Sequence, residues 1–213
     1  MVETENQKAL IEQGLALPIM EQFYTIQGEG MHTGMPAYFI RLGGCDVGCV
    51  WCDVKESWDA TAHPIQSVHT IVQAAIDNSE SRLIVITGGE PAMYNLEPLC
   101  TALIEAGFQL HIETSGAYMI QGTLDWVTVS PKKFKAPLPE VLEHADELKV
   151  VIYNKSDFAW AEEHAAFVDE TCGLLLQPEW DKREAMMPLI VEYVKANPKW
   201  SISLQTHKYL GVD

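Results

Sequence analysis

No stretch of the chain approaches the roughly 18 uninterrupted apolar residues that a membrane-spanning helix requires, so no membrane partner is expected. Positive charge is scarce: 14 Lys and Arg stand against 30 Asp and Glu, for a net charge of −16. Such a surface repels phosphate backbones, which argues against direct nucleic-acid binding. An anionic small substrate would need a local pocket of positive charge. Cysteine is sparse as well, with 5 in the chain, and an odd, uneven count argues against a disulfide framework. The first residues, Met1 to Lys8, lack the apolar run of a secretory signal, and a cytoplasmic address is expected. Internal repeats, low-complexity tracts and long linkers are missing too.

What remains is an ordinary globular composition. The 213 residues, 47% hydrophobic and 21% charged, suit one domain with a sizeable core. A single domain over residues 1–213 is expected, with residues 1–16 as an amino-terminal extension, either an extra helix or a frayed arm without assigned function. Strands are predicted near residues 37–42, 83–87, 109–113, 126–129, 148–152, 174–177 and 201–205. Helical patterns fall near 68–77, 96–106, 156–167 and 182–196. Cys100 and Cys172 lie in apolar settings and read as buried filler. Strand–helix alternation with apolar strands predicts an α/β fold with a mostly parallel sheet.

The residues after each strand are chemically capable. They are Gly43-Gly44-Cys45, Gly88-Gly89-Glu90-Pro91, Thr114-Ser115-Gly116, Ser130-Pro131-Lys132, Pro178-Glu179 after Gln177, and Thr206-His207-Lys208. In parallel barrels the carboxyl ends of strands form one rim where active sites are built. Strand ends also run into polar loops in proteins generally, but repetition along the chain favours a rim. About six parallel strands are too few to close a barrel of eight, so a partial, open TIM-like barrel is expected.

Cys45, Cys49 and Cys52 follow the spacing C-x3-C-x2-C. Three thiolates can hold three irons of a 4Fe-4S cluster and leave the fourth open to a small molecule. Gly43, Gly44 and Gly48 give the loop the freedom to wrap such a group. Structural zinc is the competing reading, but it wants four ligands, and only His32 or His63 stands nearby in sequence to add one.

This spacing, with the aromatic Trp51 before the last cysteine, resembles the radical S-adenosylmethionine (SAM) signature, and Gly88-Gly89-Glu90-Pro91 resembles that superfamily's second motif. Within it, Phe23-Tyr24-Thr25-Ile26-Gln27-Gly28-Glu29-Gly30, Phe39-Ile40-Arg41-Leu42, Glu113-Thr114-Ser115-Gly116, Ser130-Pro131-Lys132 and the final Ser203-Leu204-Gln205-Thr206-His207-Lys208 are similar to the 7-carboxy-7-deazaguanine synthase family. The resemblance implies a radical SAM-type open barrel and a ring contraction. In it, 6-carboxy-5,6,7,8-tetrahydropterin becomes 7-carboxy-7-deazaguanine with loss of ammonia, on the route to 7-deazapurine-modified tRNA. SAM acts there as a regenerated cofactor: its deoxyadenosyl radical removes the C6 hydrogen, and the hydrogen later returns.

The residue roles follow from the same resemblance. Ile26, Gln27, Gly28, Arg41 and Thr87 are expected to bind substrate, with the Arg41 fork suited to its carboxylate. Trp51, Cys52, Asp53, Gly89, Glu90, Ser130, Pro131, Lys132, Gln177, Pro178 and Glu179 are expected to bind SAM. Plain alternatives are an ion-paired Arg41 and a solvent-exposed Lys132 beside Lys133 and Lys135. His207 and Lys208 close the rim near the chain end and are candidate substrate contacts. No catalytic residue is expected beyond the cluster and SAM. A flavodoxin- or ferredoxin-type reductant and a homodimer are also implied. The family usually places Thr or Ser after the Cys-Asp pair, and that hydroxyl helps to bind Mg2+. Here Val54 stands there and has no oxygen to give, so a reduced Mg2+ requirement is expected. A glycyl-radical-enzyme activase shares the cysteine spacing but does not need the two end motifs. An electron carrier would usually have four cysteine ligands.

Overall fold

A computed structural model gives the fold, and its description covers residues 5–212. A short helix α1 (Glu5–Glu12) precedes two long strands, β1 (Ala16–Ile26) and β2 (Pro36–Leu42). Next come β3 (Ile65–Ser67), α2 (Val68–Asn78), β4 (Leu83–Gly88), α3 (Glu97–Glu105), β5 (Gln109–Thr114) and β6 (Trp126–Val129). The chain continues through α4 (Pro139–Leu142), β7 (Glu147–Ile152), α5 (Asp157–Ala165), β8 (Gly173–Pro178), α6 (Arg183–Ala196), β9 (Trp200–Ile202) and α7 (Thr206–Leu210). All nine strands form one sheet in the order β3-β1-β2-β4-β5-β6-β7-β8-β9. The run from β2 to β9 is parallel, while β1 pairs antiparallel with both β2 and β3.

The parallel strands and long helices fall where periodicity places them, except that the last strand, expected over 201–205, runs only from Trp200 to Ile202. Seven strands run parallel, against about six expected, and the sheet stays open. Two strands, β1 and β3, and two short helices, α4 and α7, were not expected at all. The segment before the first predicted strand is β1, whose alternation is broken by Pro18 and by an irregularity between Ile19 and Glu21, and β3 is only three residues long. Of the expected extension, Glu5–Glu12 is helical and Ala16 already belongs to β1, while residues 1–4 lie outside the described residues.

The sheet's two faces are separated by strand parity, since successive side chains point to opposite sides. Ile40, Leu42, Ile84, Ile86, Leu110 and Ile112 pack outward with Ile71, Leu99 and Leu103 from α2 and α3. Val129, Leu148, Val150 and Leu176 pack outward with Ala161 of α5 and Ile190 of α6. The intervening positions face the other way and are far more polar: Arg41 on β2, Thr87 on β4, Glu113 on β5, Lys149 on β7 and Gln177 on β8 all line one cavity. Most apolar matter thus sits between sheet and helices, a smaller cluster of Ala37, Phe39, Leu83 and Val85 lies on the other face, and the rest of that face is left for chemistry.

Candidate active site

The concave face and the carboxyl ends of the strands enclose a cavity of about 620 Å³. It is lined by the three cysteines, the glycine-rich loop after β4, the ends of β5–β8 and the segment entering α7. Of the residues singled out in the sequence, Ile26, Gln27, Gly28, Arg41, Trp51, Asp53, Val54, Thr87, Gly89, Glu90, Ser130, Lys132, Gln177, Pro178, Glu179, His207 and Lys208 line it. Pro131 is buried but does not line it.

The cysteine loop is fixed chiefly by backbone. Gly44 N–H donates to Ser57 O at 2.6 Å, Cys45 N–H to Trp58 O at 3.1 Å, and Cys52 N–H to Cys49 O at 3.1 Å. All five cysteines are free thiols. Burial pushes the Cys49 thiol up to about 11, with Lys132 pulling it down and Cys52 and Cys45 adding to the rise. Burial also raises Cys45. Thiolates here therefore need a positive centre, which iron supplies. Zinc finds no fourth ligand: His63 Nε2 bonds Glu56 O at 2.8 Å, and the His32 ring packs tilted against His111 and edge-on to Trp126, each at 4.5 Å between centroids. Among the described residues no three His, Cys, Asp or Glu side chains converge as one ion requires. The loop fits a three-thiolate cluster.

The loop after β4 lies directly against the cysteines. Gly89 N–H donates to Leu42 O at 3.0 Å and Glu90 N–H to Gly44 O at 2.9 Å. A Cβ on Gly89 would stand 2.4 Å from Gly44 O and 2.7 Å from the Cys45 Cβ, so only glycine allows this approach. The Glu90 carboxylate is buried and saturated. It accepts from Ala92 N–H at 3.0 Å, Thr114 Oγ1 at 2.6 Å, Ser115 N–H at 2.8 Å and the Ser115 hydroxyl. Its side chain thus clamps the end of β4 to the end of β5. Glu179 is likewise used inwardly, accepting from Asp181 and Lys182 N–H groups. Lys132 is half-buried, not solvent-exposed: its Nζ donates to Ser130 Oγ at 2.5 Å and lies 5.4 Å over the Trp51 ring, and burial lowers its pKa.

The floor holds what sequence reasoning missed. Lys149, almost fully buried, bridges Glu29 at 2.7 Å and Glu113 at 2.9 Å. Gln27 Nε2 donates to Glu113 at 3.3 Å, and Gln205 Nε2 donates to Glu29 at 2.7 Å. Burial pushes the Glu29 carboxyl up, but Lys149, Gln205 and Gln177 outweigh it and hold its pKa down to about 2. Burial drives Glu113 the other way, above the usual carboxylate range, with Glu29 and Glu147 adding to the rise. Burial disfavours the Lys149 ammonium, yet Glu113, Glu29 and Glu147 hold its pKa above the usual value. A lone Lys in the apolar run of β7 was the signal available: a charge on a buried strand must face partners or a cavity.

The mouth is closed by the segment into α7. Thr206 N–H and Oγ1 both donate to Gly28 O, and His207 packs so closely that a Cβ on Gly28 would meet its Nδ1 at 2.2 Å. Lys208 Nζ donates to Asp53 at 2.9 Å and to Gln205 Oε1 at 3.2 Å. Arg41 is ion-paired through Nε to Glu21 at 2.6 Å and also lines the cavity. The Val54 carbonyl accepts from Ser57 N–H at 3.1 Å and Ser57 Oγ at 2.7 Å. With no side-chain oxygen at Val54, its carbonyl engaged and Asp53 already bound to Lys208, these residues do not fit a hard divalent cation.

Residues 39–154 match the model of the radical SAM superfamily. The chain is similar to the 7-carboxy-7-deazaguanine synthase of Flavobacterium psychrophilum, 55% identical over 98% of this chain and 99% of that one. It is also similar to the enzyme of that name from Synechocystis, 50% identical over 93% of this chain and 94% of that one. The crystal structure of QueE from Escherichia coli overlays with a TM-score of 0.81 at 34% identity, covering 97% of this chain and 100% of that one.

Proposed function

The chain belongs to the 7-carboxy-7-deazaguanine synthases of the radical SAM superfamily, and from that membership we propose how its residues divide the work. The activity is a ring-contracting lyase reaction: 6-carboxy-5,6,7,8-tetrahydropterin is converted to 7-carboxy-7-deazaguanine with release of ammonia. Cys45, Cys49 and Cys52 hold the 4Fe-4S cluster. When bound, cluster and SAM together supply the one-electron chemistry that removes and returns a single hydrogen atom.

The protein's own part is positioning and exclusion of water. Gly89 and Glu90 spend their N–H groups on the cysteine strand, so this loop meets the SAM amino group through carbonyl oxygens. Ser130, Lys132, Gln177 and Pro178 line the same side and complete that subsite, with Lys132 beside Trp51 as its cation. Asp53 and Glu179 bound it at the rim. On the floor, Gln27, Glu29 and Glu113 face the pterin edge. A 2-amino-pyrimidinone edge presents N–H donors, which carboxylates read best. Lys149 keeps both carboxylates oriented and holds Glu29 charged. Ile26, Gly28 and Thr87 pack against the ring, and Arg41 turns its fork to the substrate carboxylate.

The observation that carries this reading is the meeting, in one cavity, of three free thiols and a buried two-carboxylate floor. Anaerobically reconstituted protein with SAM, a chemical reductant and the carboxytetrahydropterin should form a deazapurine chromophore and release ammonia. A reconstituted cluster that turns over no pterin would defeat it. One radical SAM domain accounts for the whole chain, supported by the single continuous sheet. The physiological reductant is of flavodoxin or ferredoxin type, the assembly is a homodimer, and free thiols suit a reducing cytoplasm. Sedimentation of the reconstituted protein tests the dimer. No helix among the described residues is long and apolar enough to cross a membrane.

A further inference from the structure

We propose that Lys208 supplies the positive charge facing the substrate's carboxylate beside Val54, and that this chain holds no divalent cation there. The inference rests on the synthase reading above and deepens it at the cluster-side wall of the cavity.

That wall has a charge problem. Asp53 and Val54 both line the cavity, so an incoming carboxylate meets a carboxylate. A divalent cation would resolve this, but it needs oxygen ligands. Val54 offers two methyl groups, and its carbonyl already accepts twice from Ser57. Lys208 resolves it from far along the chain, placing its ammonium 2.9 Å from the Asp53 carboxylate.

The ammonium is more than a neutraliser of Asp53. It carries three N–H donors; Asp53 and Gln205 take two, at 2.9 and 3.2 Å, and one is left. Its side chain is only 22% exposed and lies 5.1 Å over the Trp180 ring, which shields it from water. Gln205 is itself pinned to Glu29, which is pinned to Lys149. A continuous chain, Lys149–Glu29–Gln205–Lys208–Asp53, therefore runs from floor to cysteine loop and fixes the ammonium before substrate arrives. Arg41 approaches from β2 and Lys208 from α7, two cations for the two oxygens of one carboxylate. An ordinary surface ion pair would contribute little to stability and nothing to substrate choice.

The test uses reconstituted holoenzyme with SAM bound. Cavity tryptophan fluorescence reads the affinity for the carboxytetrahydropterin and for the same pterin without its carboxylate. The unaltered protein should prefer the carboxylated form. Lys208→Met should lose roughly tenfold of that preference, the scale of one charge-assisted hydrogen bond at a partly exposed site, while Lys208→Arg keeps it. Manganese(II), added to the SAM–pterin complex of the unaltered protein, should keep its full free-ion paramagnetic resonance signal, and Val54→Thr should deplete it. Either an undiminished preference in Lys208→Met or manganese bound by the unaltered complex would overturn the proposal. The manganese measurement decides even where Lys208→Met does not fold. Unaltered protein that binds neither pterin would instead remove the synthase reading itself.

Discussion

The cysteine wall of the cavity is one stretch of chain, whereas its floor is gathered from three. From Gly43 to Val54 the wall is held mostly through backbone, by its own bonds, by the neighbouring turn at Ser57 and Trp58, and by bonds from Gly43 N–H to Pro18 O and from Glu90 N–H and Tyr94 Oη to the Gly44 and Gly43 carbonyls. One side-chain clamp, at Asp53, faces the cavity through Lys208, and another lies outside it: Asp46, half-exposed, accepts from Tyr118 at 2.5 Å and Lys135 at 2.8 Å. The floor joins Glu29, Glu113 and Lys149 across separations of 120 and 36 residues, and Lys149 is 4% exposed. The wall holds a reactive group without carrying the sheet. In the floor, recognition and folding rest on the same atoms.

The sharpest way to break that contrast is Lys149→Met. It leaves two carboxylates in a largely buried site without their cation, so stability should fall by about 3–5 kcal/mol, read by urea unfolding of the cluster-free protein. A loss below about 1 kcal/mol would show that the floor does not carry the fold. Next in size is the acid limb. Glu29 titrates near 4.5 when unfolded and about 2 when folded, so its contribution is complete above pH 4.5 and lost as pH falls toward 2. That contribution is on the order of 3 kcal/mol, and Glu113, shifted the other way, offsets part of it. Urea midpoints at falling pH should drop over this window, and Glu29→Gln should flatten the drop; an unchanged slope in the variant would count against the network. The smallest effect belongs to the wall. Tyr118→Phe removes an exposed clamp on Asp46 and should shift stability by less than about 1 kcal/mol. A shift as large as that of Lys149→Met would erase the distinction between the two regions.

The same contrast explains what the sequence could disclose. Cys45, Cys49 and Cys52 announce themselves because a loop that wraps a cluster keeps its ligands within a few residues. The parallel strands and their helices were readable because parity and the helical period separate apolar from polar positions locally. Lys149 was not, because its meaning depends on Glu29 and Glu113 being brought beside it by sheet order. Glu90 illustrates a different failure: its place in the glycine loop was plain, but its carboxylate serves Thr114 and Ser115. Strand β1 escaped notice because Pro18 and a register shift interrupt its alternation, and β3 because three residues are too few to show one.

The alternation of inward and outward side chains also sets where this chain can change length. Slipping the register of β7 by one residue would exchange its faces, driving Lys149 into the apolar layer of Val129, Leu176, Ala161 and Ile190 and turning the aliphatic side chains of Leu148 and Val150 toward the substrate. A compensating one-residue insertion would restore the frame. The exposed turn at Asp169, Glu170 and Thr171 has no such constraint and should absorb insertions freely. Descendants of this sequence are thus free to drift in loop length on the helical side, while the strand segments keep their residue count.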